Sequence, residues 1–402
     1  MRIMYLTDVG FDTPNSNNRL VLSMLEEFLK NGHYVYLVQS HSTGQCDDIP
    51  ISLEKYQNFK CDTVNKSAVK KTNFILRYLN GMKYEFNAKK YWNKNIGDID
   101  VVLLQSHFTS WFAAWLLRNV KAKIVFNIYD IFPGEAYTNG NIKCKFIYNC
   151  LCLLQKYLYN NCDYFFVLSE DMKSTLISLG VNENKISVTP VWFEESNIHN
   201  VRFEDNKFAL KYNLSQNKKY IQYAGSIGVA YDFDFVIDLA KQLEYRKDIV
   251  FQIVGDGVKL EELKNKCYDL KIENITFIPW QPLELLSDVY SSCSLEIIPL
   301  MKEVINNSYP SKILPVMACS RIPVISVEKN SYFYKEINDN KIGFTSPIGD
   351  VKKMAENIIY LIDNPKILND YEKKAHSYVY ENYKVETSVK KMIEVLIKKF
   401  GL

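Results

Sequence analysis

Histidine is scarce in this chain, five in 402 residues, which gives little support to chemistry needing several imidazoles to converge on one substrate. An excess of one charge is missing too. Lysine and arginine number 49 against 46 acids, a formal net charge of +3, so the balance points neither toward nor away from nucleic acid. Tyrosine and phenylalanine are plentiful, at 28 and 22, but no basic-aromatic repeat of the RNA-binding kind goes with them. No nucleic-acid partner is expected. No apolar run approaches bilayer length. Met1-Arg2-Ile3-Met4-Tyr5-Leu6 runs straight into a strand and on to Asp8, with no signal peptide ahead of it. The expected location is cytoplasmic or peripheral on the inner face of the cell membrane. The nine cysteines sit mostly in apolar runs, among them Cys150, Cys152, Cys293 and Cys319. Cys150-Leu151-Cys152 is no zinc spacing and has no second pair, so buried, reduced thiols and no metal are expected. Solenoid-period repeats and low-complexity tracts are also missing.

What is present is strand-length apolar runs that end in glycine loops. Tyr220–Ala224 enters Gly225-Ser226-Ile227-Gly228, and Val250–Val254 enters Gly255-Asp256-Gly257. Leu295–Leu300 leads to Ser308-Tyr309-Pro310-Ser311-Lys312. Each loop opens what reads as a helix, so helix N-termini collect at the carboxyl ends of parallel strands, where anionic ligands settle. Two glycine loops, a serine and a lysine there suggest a nucleotide-diphosphate site.

The first half is α/β as well. Ile3–Thr7, Tyr34–Val38, Val101–Gln105, Ile124–Ile128 and Tyr164–Leu168 read as strands, Arg19–Asn31 as a helix ended by Gly32-His33. The polar loop Asn15–Asn18 precedes that helix. Phe146–Tyr159 reads as a helix dense enough in apolar residues to be buried against a sheet. Strands alternating with helices imply a mostly parallel sheet. The length suggests two domains. Glu194–Asn217 has the weakest pattern, so the expected division is 1–200, 201–384 and a terminal amphipathic helix in 385–402.

The ordered motifs resemble the GT-B glycosyltransferases, more narrowly family 4 of bacterial polysaccharide, O-antigen and capsule synthesis. The matching stretches are Tyr223–Gly228, Phe251–Gly257, Asn274–Pro279, Ile298–Leu300, Pro310–Leu314, Met317–Cys319 and Pro323–Ile325. In the first half they are Asn31–His33, Tyr129–Pro133 and Val167–Met172. The resemblance implies two Rossmann-like domains facing across a cleft, with Val385–Phe400 crossing back onto the first. It implies a transferase, of retaining outcome, moving a sugar from a nucleotide-sugar (a UDP-sugar foremost) to a lipid-linked or oligosaccharide acceptor, with no separate cofactor. The chain departs from the family where many members carry an arginine and a lysine after the first glycine loop: Val229-Ala230-Tyr231-Asp232 has no cation. Asn307 and Pro315 stand where two glutamates are usual, and Tyr129-Asp130 where a His-Asp pair is common. A subgroup that keeps a Pro-Ser-Lys loop and adds amino- or deoxysugars to lipid-linked intermediates resembles the chain better. The departures leave open a non-catalytic partner subunit; the fold leaves open a nucleotide-sugar epimerase.

The expected donor contacts are Gly225, Ser226, Gly228, Tyr231, Gly255, Asp256, Pro279, Trp280, Pro310, Ser311, Lys312 and Ile313. Lys312, the lone cation placed in these loops, would stabilise charge developing on the leaving diphosphate. Gly255-Asp256-Gly257 reads equally as a plain turn, and Trp280 as a half-buried core aromatic or a partner for the base. Asp232-Phe233-Asp234 spells a metal-binding Asp-x-Asp, yet paired acids at a helix start cap free N–H groups, and capping is the expectation. Asp130 and Glu135 are the acids expected to orient an acceptor hydroxyl. His107 is either an acceptor contact or a satisfied buried histidine. Between Lys66 and Lys94 eight basic residues, Lys66, Lys70, Lys71, Arg77, Lys83, Lys89, Lys90 and Lys94, face the single acid Glu85. Their interleaved aromatic and aliphatic residues suit an anionic membrane surface.

Overall fold

A computed structural model describes residues 1–8, 10–11, 16–41, 50–67, 74–138, 140, 142–193 and 198–402. Two compact units divide the chain. One comprises Met1–Tyr137, Asn141–Val191 and Val385–Leu402, the other Thr138–Gly140 and Trp192–Lys384.

The first unit is built on strands β1 (Arg2–Leu6), β2 (Tyr34–His41), β3 (Phe59–Asn65), β4 (Val101–Gln105), β5 (Lys123–Ile128), β6 (Tyr164–Val167) and β7 (Ile186–Val188). Among the described residues they form one parallel sheet in the order β3-β2-β1-β4-β5-β6-β7. Ile3, Met4 and Tyr5 on β1 are wholly buried, because a central parallel strand is covered on both faces. Helix Ser16–Lys30 buries Val21, Met24, Leu25 and Phe28, the apolar stripe of a 3.6-residue period. Gly32, at φ +80°, ends it: its N–H reaches the Leu29 carbonyl at 3.0 Å and that of His33 reaches Phe28 at 3.1 Å. A left-handed glycine closes helix carbonyls this way at little steric cost. Helix Val385–Phe400 belongs to this unit and packs on Ser16–Lys30 through Val389, Met392 and Leu396. Ser388 Oγ donates to the Pro190 carbonyl at 2.9 Å. That is the return to the first domain.

The second unit carries β8 (Lys219–Ala224), β9 (Ile249–Val254), β10 (Ile275–Ile278), β11 (Leu295–Pro299), β12 (Ile322–Ser326) and β13 (Phe344–Ser346). They form a parallel sheet in the order β10-β9-β8-β11-β12-β13. Its core joins Ile221, Phe251, Ile253 and Ile297 to Val236 and Leu239 of helix Phe233–Gln242 and Ile358 of helix Val351–Asp363.

Three expectations need correction. Helix Lys145–Asn161 buries Leu151, Leu158 and Tyr159, but Phe146 and Leu153 are 76% and 69% exposed. The helix is apolar on more than one face and only one face meets the protein. Cys150, on that outer face, is exposed, whereas Cys293 and Cys319 are buried. Lys66 and Glu85 do not lie on a basic surface but inside the first unit, as described below. Lys70, Lys71, Asn15 and residues 194–197 lie outside the described residues.

Candidate functional site

In each sheet the strand order reverses beside the first strand of its unit, between β1 and β4 and between β8 and β11. Crevices at such switch points, at the carboxyl ends of strands, are where doubly wound sheets bind ligands.

In the second unit the reversal is opened by a side chain. β8 and β11 pair at Ile221 with Leu295 and at Gln222 with Glu296, whereas β8 and β9 stay in register from Lys219 to Ala224. The Ala224 N–H donates to Glu296 Oε1 at 2.6 Å. Gln222 Nε2 donates to Glu296 Oε2 at 3.0 Å, and Gln252 Nε2 to Gln222 Oε1 at 2.7 Å. The three polar side chains are buried, and mutual bonding offsets the cost of placing them there. Burial pushes the Glu296 carboxyl up to about 8, against the pull of Lys312, the Ala224 amide and Gln222.

The loops that follow need glycine for close approach of backbones. Gly225 and Gly255 have φ of +143° and +149°, and a Cβ on Gly255 would lie 1.9 Å from the Gly225 carbonyl oxygen. A Cβ on Gly257 would lie 2.3 Å from the Ile227 carbonyl oxygen. Hydrogen bonds from Gly225 to Val254, from Ile227 to Asp256 and from Gly255 to Ile278 lock the loops together at 2.8–2.9 Å. Gly228 has no such need, since a Cβ there would meet only Ser226 Oγ at 3.7 Å. Asp256 bonds the N–H of its neighbour Gly257 at 2.7 Å, a turn-closing contact.

Lys312 comes to rest against the first loop. Its Nζ is buried and has no hydrogen-bond partner. It lies 3.7 Å from the ring centroid of Tyr223 and 4.0 Å from that of Tyr231. A Cβ on Gly225 would stand 3.0 Å from Nζ, so the glycine also makes room for the lysine. Burial lowers the Lys312 amine to about 7, opposed by the negative charge of Glu296. The Tyr223 hydroxyl donates to the Ser226 carbonyl at 2.5 Å, tying cage to loop. Lys312, Gly225, Ser226, Tyr223 and Tyr231 are thus brought together. The Lys312 amino group rests between two ring faces with no hydrogen-bond acceptor.

The other expected contacts sort by exposure. Pro310 and Ile313 are buried and Ser311 is exposed; the Ile313 amide is used on the Pro310 carbonyl at 3.1 Å. Pro279 is exposed and Trp280 is 58% exposed just beyond β10, so the indole is no core aromatic. Asp232 caps helix Phe233–Gln242, accepting from the Phe235 N–H at 3.0 Å. Asp234 pairs with Lys266 at 2.5 Å. The two acids are therefore spoken for by the helix and a lysine.

In the first unit Asp8 follows β1, Lys66 follows β3 and His107 follows β4. Asp8 Oδ2 meets His107 Nε2 at 2.6 Å and takes Lys66 Nζ on the same oxygen. Burial raises the Asp8 carboxyl, but His107 and Lys66 outweigh it and hold the group at about 2. The other ring nitrogen, Nδ1, lies 2.9 Å from Thr109 Oγ1. With both nitrogens engaged, His107 is held as part of an internal charge cluster. Glu85, from helix Phe74–Trp92, has a buried Oε2 without a partner, and burial followed by Asp8 raises its carboxyl far above the usual range. Asp8, His107 and Glu85 line a cavity of about 30 Å³ together with Ser110 and Gln105, room for a single water.

Asp130 and Glu135 sit beyond β5. The Tyr129 N–H donates to Ser106 Oγ at 3.0 Å, so the loops carrying His107 and Asp130 are neighbours. Asp130 is exposed; desolvation by the loop around it and then the Glu135 charge raise its carboxyl above the usual range. Glu135 is half-buried at the start of the short helix Gly134–Thr138. Sequence reasoning missed Asp8, Gln222 and Glu296. The signal for Glu296 was there, a lone acid inside the apolar run Leu295–Pro299.

Comparisons with known proteins agree with this fold. The family model described as glycosyl transferases group 1 matches residues 204–378, and the model for glycosyltransferase family 4 matches residues 18–193. A relative, an uncharacterized glycosyltransferase of Methanocaldococcus jannaschii, is 24% identical over 317 residues, 76% of this chain and 77% of its own length. WcaI of Escherichia coli K12, named for colanic acid biosynthesis, is 25% identical over 170 residues, 42% of each chain. Among solved structures, Anabaena HepE in complex with UDP and glucose superposes with a TM-score of 0.73 at 13% identity. The match covers 99% of this chain and 100% of that one, and is a likeness of fold.

Proposed function

This chain belongs to the family 4 glycosyltransferases of GT-B fold, and from that premise we propose that it transfers a sugar from a UDP-sugar to a lipid-linked or saccharide acceptor in surface-polysaccharide synthesis. The observation that carries the donor half is the Lys312 ammonium, buried between Tyr223 and Tyr231 with no acceptor. The diphosphate would lie along Gly225–Gly228, where backbone N–H groups and Lys312 meet the charge that grows as the glycosidic bond breaks. Trp280 would cover the base. The UDP and glucose held by HepE support the choice of donor.

The reading is of a retaining reaction on the front face. The acceptor hydroxyl attacks on the leaving-group side, and a donor phosphate oxygen takes its proton. This asks little of protein carboxylates, so Asn307 and Pro315 in place of glutamates do not count against activity. Asp130 and Glu135 would orient the acceptor.

Attachment to a membrane surface is part of the proposal. In the first unit, exposed Leu79 and Phe86 on helix Phe74–Trp92, Trp115 on Ser110–Leu117, and Phe146 and Leu153 on Lys145–Asn161 stand among exposed Lys83, Lys90, Lys143, Lys145 and Lys156. Exposed apolar side chains interspersed with lysines along these segments suit an anionic headgroup layer. Among the described residues no helix is long and apolar enough to cross a membrane.

The test is a thermal-shift screen with UDP-, GDP- and dTDP-sugars, followed by product analysis with a polyprenyl-diphosphate sugar. A donor at about 100 times its Kd raises stability by roughly 2.7 kcal/mol. A shift with UDP-sugars and a new glycolipid are expected. No shift with any nucleotide-sugar would overturn the donor site.

A further inference from the structure

Tyr309 lies three residues before Lys312, in the loop that presents it. The Ser311 N–H returns to the Tyr309 carbonyl at 2.8 Å and the Ile313 N–H to the Pro310 carbonyl at 3.1 Å. Pro310 between them has its φ fixed by the ring. Tyr309 and Lys312 are therefore two ends of one tight turn, and where the phenol is held the amine follows.

The phenol is held by more than packing. Its ring stacks on Tyr383 at 6.5 Å between centroids and meets Phe333 edge-on at 5.6 Å. Phenylalanine would fill that space equally well. The hydroxyl is the feature to explain, because a buried hydroxyl is costly unless it is bonded. It donates to the Tyr383 hydroxyl at 3.2 Å, and both side chains are buried. Tyr383 donates onward to Glu336 Oε1 at 2.7 Å, and Tyr378 donates to the same oxygen at 3.0 Å. Successive bonds of such a chain strengthen one another. Its far end is anchored in helices. Glu336 sits on helix Tyr332–Asp339, which Ser331 caps by accepting the Tyr334 N–H at 3.0 Å. Tyr383 closes helix Pro365–Asn382 with its N–H on the Val379 carbonyl at 2.9 Å, and its own carbonyl takes the Phe193 N–H at 3.3 Å.

We propose that Tyr309, Tyr383 and Glu336 are positioning residues of the donor site: a hydroxyl chain, ended on a carboxylate, that fixes the Pro310-Ser311-Lys312 turn and so holds the Lys312 amine against the Gly225 loop. This rests on the donor reading given above. The chain acts on the place of the amine. Without it the turn swings, and the amine leaves the ring faces of Tyr223 and Tyr231 for part of the time. A diphosphate must then order the loop as it binds, which weakens its affinity.

The experiment is calorimetric titration of the full-length protein with UDP, GDP and dTDP, paired with thermal unfolding of each variant. Tyr309→Phe keeps the ring and removes the hydroxyl. Tyr383→Phe breaks the chain at its middle. Lys312→Met should weaken the tightest-binding diphosphate about 10- to 100-fold, the worth of a hydrogen bond to a charged group, and Tyr309→Phe or Tyr383→Phe about five- to tenfold, a part of that contact. Tyr309→Phe and Tyr383→Phe together should weaken it no more than either alone, because both cut one chain. Added to Lys312→Met, Tyr309→Phe should change the affinity no further. Glu336→Leu should weaken binding as Tyr383→Phe does, and Glu336→Gln, whose carbonyl oxygen still accepts, should recover most of that loss. A purely structural tyrosine would lower the melting temperature in every background and leave the affinity alone. That result, or a Tyr309→Phe loss that persists with Lys312→Met in place, would overturn this proposal and leave the donor site standing. Equal binding by wild type and Lys312→Met, or failure of wild type to bind any of the three, would sink both.

Discussion

Replacing Lys312 with methionine should make the empty protein more stable and the enzyme much slower. The stability half follows from burial. Lowering the amine from 10.5 to about 7 penalises the charged form by roughly 5 kcal/mol, at about 1.36 kcal/mol per unit. Two ring faces return part of this, about 1–2 kcal/mol each when desolvated. Methionine has a similar length, no charge, and a thioether that packs against aromatic rings. The net gain is about 2 kcal/mol, or roughly 4–8 °C in Tm for a unit of this size. The gain has a pH signature. The unfolded chain holds the Lys312 proton up to 10.5 and the folded one only to about 7. Wild-type stability from this group therefore rises with pH over that window, and the advantage of the variant is fullest below 7 and fades toward 10.5. The functional half has the opposite sign. Losing one preorganised group at the leaving diphosphate costs about 10²–10³ in turnover. Thermal unfolding from pH 6 to 9, paired with initial rates on the donor found by the screen, measures both. A variant that is less stable at every pH and turns over near normally would show Lys312 to be a structural lysine and remove the basis of the donor site.

Gly255→Ala should destabilise the second unit by more than the roughly 1 kcal/mol of an ordinary glycine replacement, because its Cβ would meet the Gly225 carbonyl oxygen at 1.9 Å; a chemical denaturation midpoint equal to wild type would contradict the loop packing. Trp280→Ala should leave Tm unchanged, since the indole is 58% exposed, while weakening nucleotide-sugar affinity by about 1–3 kcal/mol if it stacks on the base; calorimetry decides. Asp232→Ala should cost about 1 kcal/mol as a lost helix cap, and turnover should survive EDTA; rates abolished by chelation and restored by Mn²⁺ would revive the Asp-x-Asp reading. Changing Lys83, Lys90, Lys145 and Lys156 to Glu should strip the protein from anionic liposomes, at about 1 kcal/mol per lysine, with donor binding intact; equal sedimentation of variant and wild type would make the exposed apolar residues an ordinary surface.

The sequence spoke clearly where structure is local and poorly where it depends on what packs across the sheet. Strand, glycine loop and helix follow one another within a dozen residues, so the parallel sheets and the loops at their ends could be read directly. Lys312 could be singled out because it follows Pro310-Ser311, but its surroundings could not. Tyr223 and Tyr231 come from the end of β8 and the loop after it, and Glu296 from a strand some seventy residues further on. Their meeting depends on β8 and β11 being neighbours, which periodicity does not encode. Counting charge along the chain also misled. Lys66 counts toward a basic segment in which Glu85 is the single acid, yet the lysine closes on Asp8 and the acid is buried beside it. A run of charge describes composition, whereas facing is decided residue by residue as the helix turns. The same distinction exposes Phe146 and Leu153, because a helix apolar on more than one face can bury only the face that meets the protein. The informative residues were the exceptions to local pattern: an acid inside an apolar strand, and a lysine inside an acid-poor loop. In a fold that buries few charges, two such exceptions reaching one switch point mark the proposed donor site more sharply than the glycine motifs, which many nucleotide-binding sheets share.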